Sequence, residues 1–389
     1  AAIPCCGTAL IIMAGTYQTP LVNRLLSSPP LVFIGLASYS IYLWHWPALV
    51  FLRHLAGPAP GPLPIAAAVG ISLAIAIFSW RFIERPLRVG GETSRKFDGF
   101  TVACLTIPAV CFVSWMILAS DGFPSRAPSP AIAYHAATDD KCFQDSVSLA
   151  RLQANDCPTF GDSGGRRICL IWGDSHAMSF VAGLDAACRR CGVQGRQATY
   201  FGTAPILDFH IDHGLGLRER AVPHAAAVVN YAKRHHVDLV VLAAYWTRYA
   251  SNQEMESCLQ KTIEELRDAG MKVAIVLDYA TQDEDVPLML ARKAFRGEST
   301  SACGVPMTRH AELNGDVNAM LRRVADDRAA LLDPSPYLTD ASGLWRAELD
   351  GTALYYDDDH LTRSGSLRLA PMFTDMLQAV FQVRCNDSH

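Results

Sequence analysis

Hydrophobic and polar positions divide the chain into two regimes. In the first, residues 1–22 carry no charge, Leu31 to Leu52 carries only His45, and Leu63 to Trp80 and Phe100 to Ser120 carry none. Each run is about the ~20 residues that a helix needs to cross a bilayer. One such run alone would equally suit a buried core helix, but four in succession, joined by short polar links, predict four transmembrane helices. Arg81, Arg85, Arg88, Arg95 and Lys96 crowd the link between the third and fourth, whereas Arg53 is the lone Lys or Arg between the second and third. The positive-inside rule then puts the basic link in the cytoplasm, and both Ala1 and everything after Asp121 on the outer side. A chain that starts outside, without Met or a charged leader, reads as the C-terminal part of a longer membrane protein whose earlier helices are missing partners.

The second regime begins with a loop-like stretch, Asp121 to Asn155, rich in Pro and Ser, which reads as a linker leaving the bilayer. From Ile168 short apolar runs alternate with longer amphipathic ones. Strands are expected at Ile168 to Trp172, Gln197 to Phe201, Asp238 to Ala244, Lys272 to Leu277 and Ala330 to Leu332. Helices are expected at Ala177 to Arg189, Arg218 to Arg234, Gln253 to Ala269, Arg309 to Ala325 and Ser364 to Gln382. Near-continuous apolar strands alternating with helices mean a parallel sheet covered on both faces, a three-layer α/β/α, flavodoxin-like domain. The predicted division is residues 1–99 and 100–120 in the membrane, 121–160 as linker, and 161–389 as the outer domain.

Composition changes this picture little. Half of the 389 residues are hydrophobic, high for a purely soluble protein and explained by the first third. The net charge of −4, without any basic block, gives no reason to expect nucleic acid as a partner. Cys5, Cys6, Cys104 and Cys111 sit inside apolar runs as small packing or lipid-facing residues. Outside the cytoplasm, Cys142 and Cys157, bracketing a short polar segment, suit a disulfide, with two unpaired thiols as the other option; Cys258 and Cys303 form a second possible pair. The spacing Cys188-Arg-Arg-Cys191 ends a helix and lacks a partner pair, so neither zinc nor redox chemistry is indicated. No metal ligand set is predicted.

The chemistry is concentrated in two stretches. Ile168 to Trp172 stops at Gly173-Asp174-Ser175-His176, so Ser175 falls where a strand turns into a helix N-terminus. A serine hydroxyl needs a base, itself held by a third group. Tyr356-Asp357-Asp358-Asp359-His360 offers both, because one turn can aim Asp357 at one imidazole nitrogen while the other faces Ser175. Other readings remain: Ser175 as part of a helix cap, and Asp357 to Asp359 as a solvated acidic turn. Asp174 and His176 flank the nucleophile and suit a supporting place behind it, with no catalytic role of their own.

Gly-Asp-Ser-His after a strand, with Asp-x-x-His near the C-terminus, resembles the SGNH/GDSL hydrolase superfamily over about Cys142 to the end. The resemblance implies a catalytic Ser175, His360 and Asp357, and an oxyanion hole of the Ser175 N–H and Gly202. The superfamily's third donor, an Asn after the third strand, has no counterpart in Ala243-Ala244-Tyr245-Trp246-Thr247-Arg248. Trp246 there would either shape an acceptor pocket or pack in the core.

In the second apolar run, Ser38, Tyr42 and His45 fall at i, i+4, i+7 spacing, a polar stripe that suits either a bundle interior or an interfacial aromatic belt. Together with Arg81-Phe82-Ile83-Glu84-Arg85-Pro86, this stretch resembles the C-terminal part of the acyltransferase-3 membrane family over about the first ninety residues. The match implies acyl transfer across a membrane onto a carbohydrate, with acetyl-CoA or another acyl donor serving the full-length membrane domain. The combined resemblance implies a membrane O-acetyltransferase acting on a surface polysaccharide, lipopolysaccharide or peptidoglycan. An anchored carbohydrate acetyl esterase and a non-catalytic glycan-binding module are the alternatives.

Overall fold

The computed structural model describes residues 2–17, 21–88, 99–136, 146–211 and 220–386. The chain divides into two compact units, Ala1–Arg126 and Ala127–His389.

Each apolar run of the first unit is a helix: Ala2–Tyr17, Pro29–Ala56, Pro62–Ser79 and Gly99–Ala119. Pro29 and Pro62 open their helices, where a missing N–H costs nothing, and Gly57 ends the second at φ 93°. The third continues through the π-helical turn Trp80–Glu84. Its buried residues are small, Ala68, Ser72 and Ala76 at four-residue spacing, which lets the backbone of Pro29–Ala56 come close at Ala37 and Ser40. The bulky apolar side chains, Phe51, Phe78 and Trp115 among them, stay exposed.

The expectation of four membrane-crossing helices is narrowed here. By length and composition one helix among the described residues, Pro62–Glu84, is long and apolar enough to span a bilayer. Helix Ala2–Tyr17 falls short at 16 residues, and Tyr39, Ser40, Tyr42 and His45 dilute Pro29–Ala56. The polar stripe is also rearranged. Ser38 and Tyr42 are exposed, Ser38 Oγ donates to its own helix at Gly35 O (2.8 Å), and His45 Nδ1 lies 2.7 Å from Tyr42 O. The contact between helices is made one step away, by Ser40 Oγ donating to Glu84 Oε2 at 2.8 Å.

Among the described residues of the second unit ten strands occur in chain order: β1 (Thr159–Gly161), β2 (Arg167–Gly173), β3 (Val193–Thr199), β4 (Leu239–Ala243), β5 (Lys272–Val276), β6 (Gly304–Pro306), β7 (Ala330–Leu332), β8 (Leu344–Arg346), β9 (Glu348–Leu349) and β10 (Thr352–Ala353). Six form one sheet in the order β1-β3-β2-β4-β5-β7, and β6 with β8 and β9 with β10 make two small antiparallel pairs. The sheet is mixed rather than wholly parallel, because β1 runs antiparallel along the β3 edge. Strands β3 and β4 flank β2 on opposite sides, so the crevice where the winding reverses opens at the carboxyl end of β2.

Side-chain alternation builds the three layers. Leu170, Trp172, Val240 and Leu242 point to one face, under Ala221–Arg234, Met255–Asp268 and Met307–Ala325. Cys169, Ile171, Leu239 and Val241 point to the other, under Val181–Cys191, Val286–Phe295 and Ala370–Phe381. The expected linker 121–160 is in large part folded into this unit. It contributes helix Ser129–Ala136, with Tyr134 buried and its hydroxyl 3.0 Å from Thr300 Oγ1, then helix Leu149–Gln153 and strand β1.

Cysteine pairing differs from expectation. Cys142 lies outside the described residues, so its pairing with Cys157 does too. Cys258 and Cys303 are both free and buried, in separate cores. The disulfide joins Cys191, at the end of its helix, to Cys385, and the tail is also tied by Asn386 N–H donating to Arg190 O at 3.0 Å.

Candidate active site

Strand β2 ends at Gly173, a position that has room for glycine alone, since a Cβ there would run into the Ala243 carbonyl of β4. The chain then turns into helix Ser175–Ser179, capped by Asp174, whose carboxylate accepts the His176 N–H at 2.9 Å. The same buried carboxylate accepts the Tyr245 N–H at 3.0 Å and the Tyr249 hydroxyl at 2.8 Å. One side chain therefore fixes the turn bearing Ser175 to the loop after β4. That loop is braced a second time by buried Asp278, which accepts the N–H groups of Trp246 and Thr247 at 2.9 and 2.8 Å.

The facing element is the turn Asp357 to His360. Asp357 Oδ1 closes it by accepting the N–H groups of Asp359 (3.0 Å) and His360 (2.7 Å). Backbone bonds from Gln282 N–H to Asp358 O (2.7 Å) and Val286 N–H to Asp357 O (3.2 Å) moor it to the segment after β5. So held, His360 places Nε2 at 2.9 Å from Ser175 Oγ and Nδ1 at 2.8 Å from Asp357 Oδ2. Residues 185 positions apart in the chain thus form a hydrogen-bonded line of serine, imidazole and carboxylate.

The line is not the whole site. His360 Nδ1 also lies 2.6 Å from Asp359 Oδ1, and Asp359 Oδ2 is 3.7 Å from Nε2 of His176. Burial alone would lower the basicity of His360, but hydrogen bonds to Asp357 and Asp359, and their charges, push its pKa up to about 9. Burial works the opposite way on Asp359, favouring its neutral acid, yet the neighbouring His176 and His360 hold its carboxyl well below the usual carboxylate range. His176, Asp359 and His360 offer three ligand atoms within 4.8 Å of one another. A metal ion there would compete with the serine–imidazole–carboxylate line for Nδ1.

The Ser175 N–H, first of its helix, and the Gly202 N–H, in the turn after β3 at φ 64°, donate to no acceptor among the described residues. The Ser175 N–H, on the nucleophile itself, suits a developing oxyanion, and Gly202 follows β3, the strand that neighbours β2 in the sheet. Trp246 does not line a pocket: it is fully buried, and its Nε1 donates to Val276 O at 2.8 Å. The half-buried residue before it, Tyr245, stands at the site instead, stacked on His176 with ring centroids 4.5 Å apart. Asp174 and His176, expected as supports beside the nucleophile, do brace the site, and the parts that sequence reasoning left out are Asp359 and Tyr245. The one available signal was the unbroken Asp357-Asp358-Asp359 run, which the Asp-x-x-His pattern explains at its first position alone.

The family model described as the SGNH domain fused to AT3 domains matches residues 141–375. The chain belongs to this family. Among curated relatives, O-acetyltransferase OatA of Staphylococcus aureus (strain NCTC 8325 / PS 47) is 37% identical over 92 residues, 23% of this chain and 15% of that protein. The chain thus spans well under two thirds of that relative's length. Among solved structures, the periplasmic domain of a lipopolysaccharide acetyltransferase of Salmonella ser. Paratyphi A aligns with a TM-score of 0.48 at 18% identity, over 60% of this chain and 90% of that one. The acetyl xylan esterase AlAXEase aligns with a TM-score of 0.35 at 16% identity, over 54% of this chain and 99% of that one.

Proposed function

We propose that the second unit is the acyl-transfer domain of a membrane-anchored O-acetyltransferase acting on a cell-surface carbohydrate. The observation that carries this is the line from Ser175 Oγ through both His360 nitrogens to Asp357, at 2.9 and 2.8 Å. Membership of the SGNH family and the local likeness to an O-acetyltransferase support it. Ser175 Oγ attacks the acyl carbonyl while His360 Nε2 takes its proton. The N–H groups of Ser175 and Gly202 receive the oxyanion. Collapse leaves an acyl-serine, His360 returning the proton to the leaving group. A sugar hydroxyl, deprotonated by the same imidazole, then attacks the acyl carbon, and Ser175 Oγ is expelled and reprotonated.

The anchor in this proposal is multi-pass, in the cytoplasmic membrane, with residues after Asp121 on the outer side. The exposed apolar surfaces of the first unit and the span-length helix Pro62–Glu84 support it. The acyl donor in this proposal is acetyl-CoA or another activated acyl group, handled by the membrane part of the full-length protein.

The test is mass spectrometry of surface glycan from cells making the full-length protein with Ser175 intact or replaced by Ala. Acetylation is expected to disappear with Ser175→Ala, as is labelling of the protein by a fluorophosphonate. Unchanged acetylation would refute the proposal. Purified protein that strips acetyl groups from glycan but never acetylates an added sugar would assign it instead as an esterase.

A further inference from the structure

The imidazole of His360 has one N–H at Nδ1 and two carboxylates competing for it, Asp357 Oδ2 at 2.8 Å and Asp359 Oδ1 at 2.6 Å. The two acids are not equivalent. The second oxygen of Asp357 is engaged in closing its own turn, through the N–H groups of residues 359 and 360. The second oxygen of Asp359 faces another ring, His176, whose Nε2 is buried, has no hydrogen-bond partner among the described residues, and lies 3.7 Å away.

His176 is itself immobilised. Its ring is 2% exposed and stacks between Tyr245 and Tyr279, with centroids at 4.5 and 5.1 Å, while its edge meets His360 at 5.1 Å. Its backbone N–H is held by Asp174. Tyr279 also donates its hydroxyl to the Asp359 carbonyl at 2.7 Å, so Asp359 is fixed at both its backbone and its side chain. A carboxylate only 21% exposed, set between two imidazoles and with its backbone carbonyl held by a buried tyrosine, is not a freely solvated acidic turn.

We propose that Asp359, braced by His176, is a second positioning carboxylate for His360, closing a ring of contacts from Ser175 through His360 and Asp359 back to the residue that follows the nucleophile. The imidazole is then fixed relative to the very helix that carries Ser175, and its charged form is shared by two acids. The other charged or titratable groups around it are Asp357, Asp358, Tyr356, whose ring stacks on it at 5.4 Å, and Tyr279. This inference rests on Ser175 and His360 working together, so its test is read first on His360 alone.

In the full chain, the pH dependence of His360 modification by diethyl pyrocarbonate, followed by peptide mass spectrometry, reports the fraction of neutral imidazole whether or not the protein acylates anything. Asp359→Asn is expected to move the midpoint down by about one pH unit or more, as the loss of an opposite charge in contact does. His176→Asn is expected to move it too, by releasing Asp359. Where ester hydrolysis is measurable, the acid limb of the pH profile should move with it, and kcat should fall with KM little changed. An unchanged midpoint in Asp359→Asn, with a melting temperature like that of the parent, would overturn the proposal. If Asp359→Asn does not fold, Asp359→Glu serves in its place: the longer side chain keeps the charge, and a parental midpoint with lowered kcat supports positioning, whereas parental values of both refute it. Failure of the acetyltransferase reading would show separately, as absent activity in the parent protein with the His360 midpoint still shifted.

Discussion

Replacing Asp174 by Ala should cost more stability than any change at the nucleophile it adjoins. The side chain is 2% exposed and accepts three hydrogen bonds, from His176 N–H, Tyr245 N–H and the Tyr249 hydroxyl, at 2.9, 3.0 and 2.8 Å. Alanine leaves two buried donors and one partly buried donor with no acceptor and removes the cap of helix Ser175–Ser179. At about 1–1.5 kcal/mol for each stranded group, the loss sums to about 3–5 kcal/mol. Urea unfolding of the full chain would read this through buried Trp172, Trp246 and Trp345, all in the second unit. With a slope of about 3 kcal/mol per molar, the midpoint should fall by more than about 1 M. The variant Ser175→Ala, whose hydroxyl bonds a partly exposed imidazole, should stay within about 1 kcal/mol of the parent. A midpoint for Asp174→Ala within about 0.3 M of the parent would refute the reasoning, since it would mean that the loops after β2 and β4 do not depend on this carboxylate.

Two further outcomes follow from the same geometry. The pKa of His360, raised to about 9 in the folded chain, lies above its ordinary unfolded value near 6.5, so its contribution to stability is complete below about pH 6.5 and is lost as pH rises through about 9. Since neutral imidazole is the base, acyl transfer should climb over that same interval while the denaturation midpoint falls; activity that is flat from pH 6.5 to 9 would contradict this. Breaking the Cys191 to Cys385 bond, by reductant or by Cys385→Ser, should cost about 2–5 kcal/mol, seen as a lowered melting temperature, and a non-reducing peptide map should recover the two cysteines joined.

What the sequence disclosed and what it hid have physical causes. Central strands such as Leu239–Ala243 are buried at every position and so read as unbroken apolar runs. Strand β3 was expected at residues 197–201 but begins at Val193, because Gln194 and Arg196 near its β1-covered edge broke the apolar signal. Strand β1, three residues long, and helix Val286–Phe295 went unpredicted, although Asp285 capping and Pro287 in the first turn are helix-start signals. At the site, the spacing of Asp357 and His360 was legible because one turn joins them. Asp359 was not singled out, since its role depends on His176, which tertiary contact alone brings near. Trp246 left two options open because an aromatic residue at the end of a strand looks alike whether it lines a cleft or fills a core; it fills the core. The Cys191 to Cys385 pairing, 194 residues apart, left no mark in local spacing.

That crosslink makes a covalent hoop of everything between its two sulfurs. The nucleophile stands outside the hoop and the imidazole with both its acids stands inside. A protease that cuts once anywhere between residues 191 and 385 therefore opens a ring rather than severing a thread: the fragments travel together until reductant is added, and the severed segment bearing the base remains tethered to the part bearing the serine. Nicked and intact molecules would stay together by mass without reductant, and the two fragments would separate from the intact chain only after its addition, so a cut inside the loop escapes any sizing test that leaves the bond in place.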